Sequence, residues 1–430
     1  MATDVDVQYF SHLNGLTLGS NWGDLIRLLD KALVTGVDFT QITAASIDAQ
    51  GDVHITLYAA HNAMLFQVVE LSGFTPASLN QKYRIKGVPS ATELILKPHA
   101  AIVETNITTV GAGKLASLGY EIIFRDTNDV KRVYRAKNPT AQHPFIRVDE
   151  SLTSPDGTTG VYTSTYAKYA MVGLLEHMEH IDDYENPDVL QLPFDQTDPS
   201  KNWKIVGTGA ACVRGWSRWY WARSKDAYNS SAETETPENG NRYFSLIGDK
   251  NAFYFLNSLV AAAYGFDRKM IYGLGRYNAT IEYAFPHWFL ATSKHSLPAS
   301  TSMDFSVKSI PFEGSLPFTY GDRFSKFAVT KQKGLLSLAS SIAATPIMID
   351  YESGASNKFL GTDVPALEIP FFDSDNVLRG SVPHLYYSGK LLNDNQATPI
   401  LASASMYIAD SVMVVDGAKG SFYFYLGELE

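Results

Sequence analysis

The chain has 430 residues, a formal net charge of −10 and a single cysteine, Cys212. The length exceeds what one hydrophobic core usually organises, and the acidic balance argues against an electrostatic grip on nucleic acid. One cysteine excludes an intrachain disulfide and a multi-cysteine metal site.

Aromatic residues make up 12% of the chain, a load that favours strands and contact surface. The first residues, Met1 to Asp6, are acidic and have no apolar stretch, so no signal peptide is expected. The longest apolar runs are too short or too interrupted to span a bilayer, and a soluble protein made in a cytoplasm is expected.

A helix is predicted over 21–33, where Trp22, Leu25, Ile26, Leu28, Leu29, Ala32 and Leu33 recur at helical spacing and Gly36 closes the end. The period then changes to two. Short strands are predicted over 42–47, 53–58, 65–70, 81–85 and 93–96, which makes a helix plus a small barrel or sandwich over residues 1–100. A Thr-rich connector covers 100–109.

A central aromatic-rich β region over 101–300 follows. It has predicted strands over 121–124, 130–135, 144–148, 162–169, 203–206, 215–223, 242–247 and 252–256. A short helix is predicted over 170–181 and a polar surface loop over 224–241. A third β-rich region over 301–430 carries candidate strands over 301–309, 366–371, 405–408 and 421–426. The fold class is therefore mainly β with minor α, multi-domain, a small N-terminal β module preceding a larger β-rich remainder.

Candidate chemistry is sparse. Glu176, His177, Glu179, His180, Asp182 and Asp183 form the best metal candidate, but the spacing is not that of a zinc-protease helix and a polar helix end explains it as well. Gly215-Trp216-Ser217 begins like a nucleophile elbow and lacks the closing Gly. Cys212 reads as a small core residue. Gly273-Leu274-Gly275 lacks a βαβ context and reads as a turn. Asp149 and Glu150 are adjacent, so on a strand they face opposite ways, as at a solvated strand end. No catalytic, cofactor or metal site is assigned.

The order of short motifs carries a resemblance. These are Gly19-Ser20-Asn21-Trp22-Gly23-Asp24 through Asp30 with Leu33-Val34-Thr35-Gly36; Val68-Val69-Glu70-Leu71-Ser72-Gly73 with Tyr83; Leu118-Gly119-Tyr120-Glu121; Val133-Tyr134-Arg135; and Ile146 to Ser151. Gly248-Asp249 before Ala252-Phe253-Tyr254-Phe255, and Arg379-Gly380-Ser381 through Tyr386, complete the set. The chain resembles a family of virion structural proteins of tailed phages of Gram-negative bacteria. It departs at Gly273 to Tyr277, where the family has an aromatic-Gly-Asp turn.

The resemblance implies structural duty in the tail tip or baseplate, several symmetric copies, other tail or baseplate proteins as partners, and no enzymatic activity. Virion assembly in the host cytoplasm follows from it. Two alternatives stand beside it: a carbohydrate-binding or carbohydrate-cleaving receptor protein of the tail, which would contact the host surface, and a capsid or collar decoration protein. The strand over 215–223 presents Trp216, Arg218 and Tyr220 to one face and Trp219 and Trp221 to the other. Something must cover the second face, either another layer of this chain or a neighbouring subunit. The expectation is the subunit, which makes Trp216, Arg218, Trp219, Tyr220 and Trp221 candidate interface residues.

Overall fold

The computed structural model describes residues 3–137, 143–154, 156–186, 189, 191–192, 205–209, 212–214, 217–225, 234–264, 269–281, 287–292, 327–330, 341–347, 364–373, 375–388, 396–413 and 419–430. The described chain is mainly β and multi-sheeted, as its period-two segments require. Its α-helix, Asp24–Leu29, continues as a π-helical stretch over Asp30–Thr35. Leu25, Ile26, Leu28, Leu29, Ala32 and Leu33 of these two segments are buried.

A first sheet has seven strands in the order Val37–Asp38, Ala112–Leu115, Val68–Ser72, Lys82–Ser90, Glu93–Pro98, Val53–Leu57 and Ile42–Ile47. It holds the strands expected of the N-terminal module, but it closes past residue 100, because Ala112–Leu115 returns to pair with Val68–Ser72. The segment 101–108 between them has no regular structure and is mostly exposed, as expected of a connector, with Ile102 and Ile107 turned toward the core.

A second sheet orders Gln191–Leu192, Lys168–Leu175, Phe145–Asp149, Lys131–Ala136 and Tyr120–Arg125, with Ser217–Ala222 also paired to Lys168–Leu175. The helix expected over 170–181 is therefore corrected. Its apolar half is a strand buried on both faces, and a bend and turns follow it. A strand covered on both sides has no polar alternation, so its sequence reads like a buried helix.

The third sheet begins with Gln8–Ser11, Phe244–Gly248, Ala252–Ser258, Lys269–Arg276, Trp288–Thr292, Phe327–Thr330 and Ser341–Pro346. It goes on through Ala366–Asp373, Leu378–Ser388, Lys419–Glu428 and Ser405–Met413 to Thr398–Ala402. Two expected divisions fail against it. Gln8–Ser11 pairs with Phe244–Gly248 and so leaves the N-terminal module, and Trp288–Thr292 pairs with Phe327–Thr330, so this sheet continues across residue 300. The candidate strand over 301–309 lies outside the described residues, as do 203–204 and 226–233.

Side chains alternate across the third sheet into two separate cores. Phe253, Phe255, Met270, Tyr272, Leu274, Trp288 and Leu290 face the second sheet and helix. Tyr254, Leu256, Ile271, Phe289, Ala291, Ile408, Phe422 and Phe424 line the other core. The sheet curls far enough that Lys269, on its fourth strand, meets Asp410, near its far edge, in an ion pair exposed 2% and 0%. Ser245 Oγ donates to the second Asp410 oxygen at 2.8 Å.

Gly273-Leu274-Gly275 lies in the strand Lys269–Arg276, not in a turn. A Cβ on Gly275, where φ is +146°, would stand 2.3 Å from the Ala252 Cα. Here glycine permits close packing of neighbouring strands.

Candidate interaction surface

The strand Ser217–Ala222 is buried along its whole length. Trp219 stacks on Tyr272 at 5.4 Å and on Phe255 at 6.4 Å between centroids, against the third sheet. Trp221 meets Trp22 edge-on at 5.6 Å. On the opposite face Tyr220 lies 5.2 Å from Tyr169, and the Arg218 guanidinium sits 4.7 Å over the Tyr169 ring and donates to the Cys212 carbonyl at 2.9 Å. Both faces are thus covered by the chain itself. The expectation that a neighbouring subunit covers one face is corrected for Arg218, Trp219, Tyr220 and Trp221; Trp216 lies outside the described residues. Cys212 is buried, as its apolar neighbours suggest.

The metal candidate disperses. Asp182 accepts from Lys131 Nζ at 2.8 Å and from Arg147 Nη2 at 2.7 Å, while His177 and Glu179 project outward. Asp183 accepts the backbone N–H groups of Glu179 and His180. Among the described residues no group of three or more ligating side chains is placed to hold a metal.

Asp149 and Glu150 do face different ways, but neither is solvated, which corrects the solvated strand end. Asp149 pairs with Arg147 at 2.9 Å. Glu150 accepts the backbone N–H of Gly23 and, at 2.8 Å, that of Ile26, so it caps the helix Asp24–Leu29 from the neighbouring sheet. Burial pushes the Glu150 carboxyl up to about 8, against the pull of those two N–H groups.

Similar long-range polar contacts join other motifs from the sequence. Tyr134 Oη donates to Asp30 at 2.8 Å, and Arg132 Nε reaches the same carboxylate at 3.2 Å. Leu118 N donates to the Ala32 carbonyl. Tyr120 Oη donates to the Asp249 carbonyl at 3.2 Å, and His384 Nε2 lies 3.5 Å from the Asp249 carboxylate. Tyr254 Oη donates to the Pro383 carbonyl at 2.7 Å. Each pair comes from segments far apart in sequence.

Accessible aromatic surface lies elsewhere, on the outer face of the last strands. Tyr386 is paired in register with Tyr423, and Tyr407 with Tyr425. The Tyr407 and Tyr425 rings are 5.4 Å apart, and Tyr386 and Tyr425 are 6.4 Å apart. Tyr386, Tyr407 and Tyr425 are half-buried, Tyr423 is fully buried and Ile400 packs alongside. Tyr425 Oη donates to Glu428 at 2.5 Å, as does Ser405 Oγ at 2.6 Å, and exposed Glu368 pairs with Tyr386 on the neighbouring strand. Burial, followed by the bond to Glu428, holds the Tyr425 phenol above its usual range. These tyrosines escape sequence reasoning, although their alternate positions 423 and 425 on one strand are the available signal.

No family model and no curated protein matches the chain. Among solved structures a match is found to phage phi92 endosialidase at 8% identity, covering 92% of this chain and 51% of that one, with a TM-score of 0.14. The chain thus spans about half the length of that protein. At so low a TM-score no argument about fold or function rests on the match.

Proposed function

We propose that the chain is a non-enzymatic structural component of a tailed-phage virion, at the tail tip or baseplate, acting through contacts with other virion proteins. One observation supports the reading. Motifs that carry the sequence resemblance meet one another in space, Gly23 with Glu150, Asp30 with Tyr134, Tyr120 with Asp249 and Tyr254 with Pro383. Their polar groups fasten the helix to the second sheet, the second sheet to the third, and distant strands of the third to each other, the rigidity asked of a structural part.

The test is incorporation. Particles assembled with a chain carrying Tyr386→Ser, Tyr407→Ser and Tyr425→Ser should lack it, although the free subunit stays folded. Density for the wild-type chain at the tail end of the particle supports the proposal. Its absence from purified particles overturns it.

The same tyrosines favour a second reading, a carbohydrate-binding protein of the tail. Phenol rings offer flat apolar faces with a polar edge, and Glu368 and Glu428 offer acceptors for hydroxyl groups. Retention on host polysaccharide that the three serine substitutions abolish would favour this reading over the first. Cleavage of that polysaccharide, lost on replacing a carboxylate, would sink the non-enzymatic part of both.

A further inference from the structure

An exposed sheet edge offers main-chain donors and acceptors to any strand, so proteins blunt their edges with charge, proline, shortness or burial. Most edges among the described residues are blunted in these ways. Gln8–Ser11 and Ser217–Ala222 are buried, Thr398–Ala402 carries Pro399, and Tyr120–Arg125 carries Glu121 and Arg125. Val37–Asp38 and Gln191–Leu192 have two residues each.

Ile42–Ile47 differs. It ends the first sheet, pairs on one side with Val53–Leu57, and reads Ile-Thr-Ala-Ala-Ser-Ile, without charge or proline. An irregularity at Thr43 leaves Ala44 to Ile47 in regular register. Thr43, Ala44 and Ser46 are exposed, while Ala45 and Ile47 pack toward the core. Next to the start of this strand the Tyr58 N–H donates to the Gln41 carbonyl, and the Tyr58 side chain stands 78% exposed.

We propose that the Ile42–Ile47 edge pairs antiparallel with the same strand of a second copy, joining two first sheets into one. A two-fold axis normal to the sheet at Ala45 keeps both core faces on one side. It sets Ala45 opposite its own copy, Ala44 opposite Ser46, and Thr43 opposite Ile47. At this register Asp48 falls opposite Ile42, so no charge meets its like, and the residues nearest the axis, Ala44, Ala45 and Ser46, are small. A second copy is the occupant proposed because the strand meets its own two-fold image with no like charges opposed. The inference stands independently of the virion reading.

The test uses the full chain and three samples. By light scattering the wild type should have the mass of two chains at micromolar concentration. Ala44→Lys with Ser46→Lys, and Ala44→Glu with Ser46→Glu, should each give the mass of one chain, since each sets like charges directly opposite one another. Mixed in equal amounts, the two variants should return to the mass of two, because each introduced lysine then faces an introduced glutamate. Near-ultraviolet circular dichroism checks that both variants are folded, and amide exchange over 43–47 in the wild type should slow as concentration rises. A wild type that stays single, a dimer that survives the lysine pair, or variants that do not recover on mixing would each overturn the proposal.

Discussion

Glu150 Oε1 accepts the Ile26 N–H at 2.8 Å from a position only 1% exposed, so a carboxyl group of one sheet closes the start of the helix that packs on it. Burial dominates its titration and raises the carboxyl from 4.5 to about 8. The folded chain therefore holds a proton that the unfolded chain releases above about 4.5, and the stability linked to this group falls as pH rises from about 4.5 to about 8. The whole change is on the order of a few kcal/mol. Glu150→Gln, neutral throughout, should flatten the urea midpoint between about pH 5 and 8. An unchanged slope in the variant would show that Glu150 is not the titrating group.

Arg84 is fully buried and joins the first sheet to both ends of the described chain. Its guanidinium donates to the carbonyls of Asp4, Val7, Phe66 and Leu426 at 2.9, 2.9, 2.6 and 3.1 Å. Burial also lowers its pKa to about 10. Beside it Asp4 N donates to the Glu428 carbonyl at 3.0 Å, which closes the chain's ends against each other. Arg84→Met leaves the buried carbonyls without donors, at about 1–3 kcal/mol for each one that finds no other partner. Amide exchange should accelerate over 3–8 and 424–430 before anywhere else; uniform acceleration would mean that Arg84 supports the fold only globally.

Lys269 and Asp410 come from strands far apart in the third sheet, and neither has access to water. Asp410→Ala leaves an ammonium buried without its counter-charge, and should lower stability by about 3–5 kcal/mol in urea unfolding. The double replacement Lys269→Met with Asp410→Leu removes both charges, and should recover most of that loss. If the double variant is as unstable as the single one, packing around the pair matters more than charge.

Period-two segments are legible in the sequence wherever one face is wet. Val53–Leu57 alternates buried with half-buried residues, and its pattern locates the strand almost to its ends. Strands covered on both faces are not legible in the same way: Lys168–Leu175 reads as part strand and part helix, and the glycines of Lys269–Arg276 read as a turn because glycine usually marks one. For Asp149 and Glu150 the opposed directions follow from strand geometry. What each one meets, an arginine on its own strand and a helix start more than a hundred residues away, depends on tertiary packing that no local pattern encodes. The need to cover both faces of Ser217–Ala222 is also readable, whereas the identity of the cover is not.

That last point has a direct test in Trp219. Its ring lies between two strands of the third sheet and its own, stacked on Tyr272 and Phe255, with Nε1 donating to Ser217 Oγ at 3.1 Å. Trp219→Ala opens a cavity there and should lower stability by about 3–5 kcal/mol in the isolated subunit. Tyr386→Ser and Tyr407→Ser alter half-exposed rings, and should each cost less than about half of that. The two sets therefore separate in urea unfolding of the free chain, with no partner present. If Trp219→Ala instead melts like the wild type and fails only in assembly, the ring is not packed against Tyr272 in the free chain and a neighbouring subunit covers it after all.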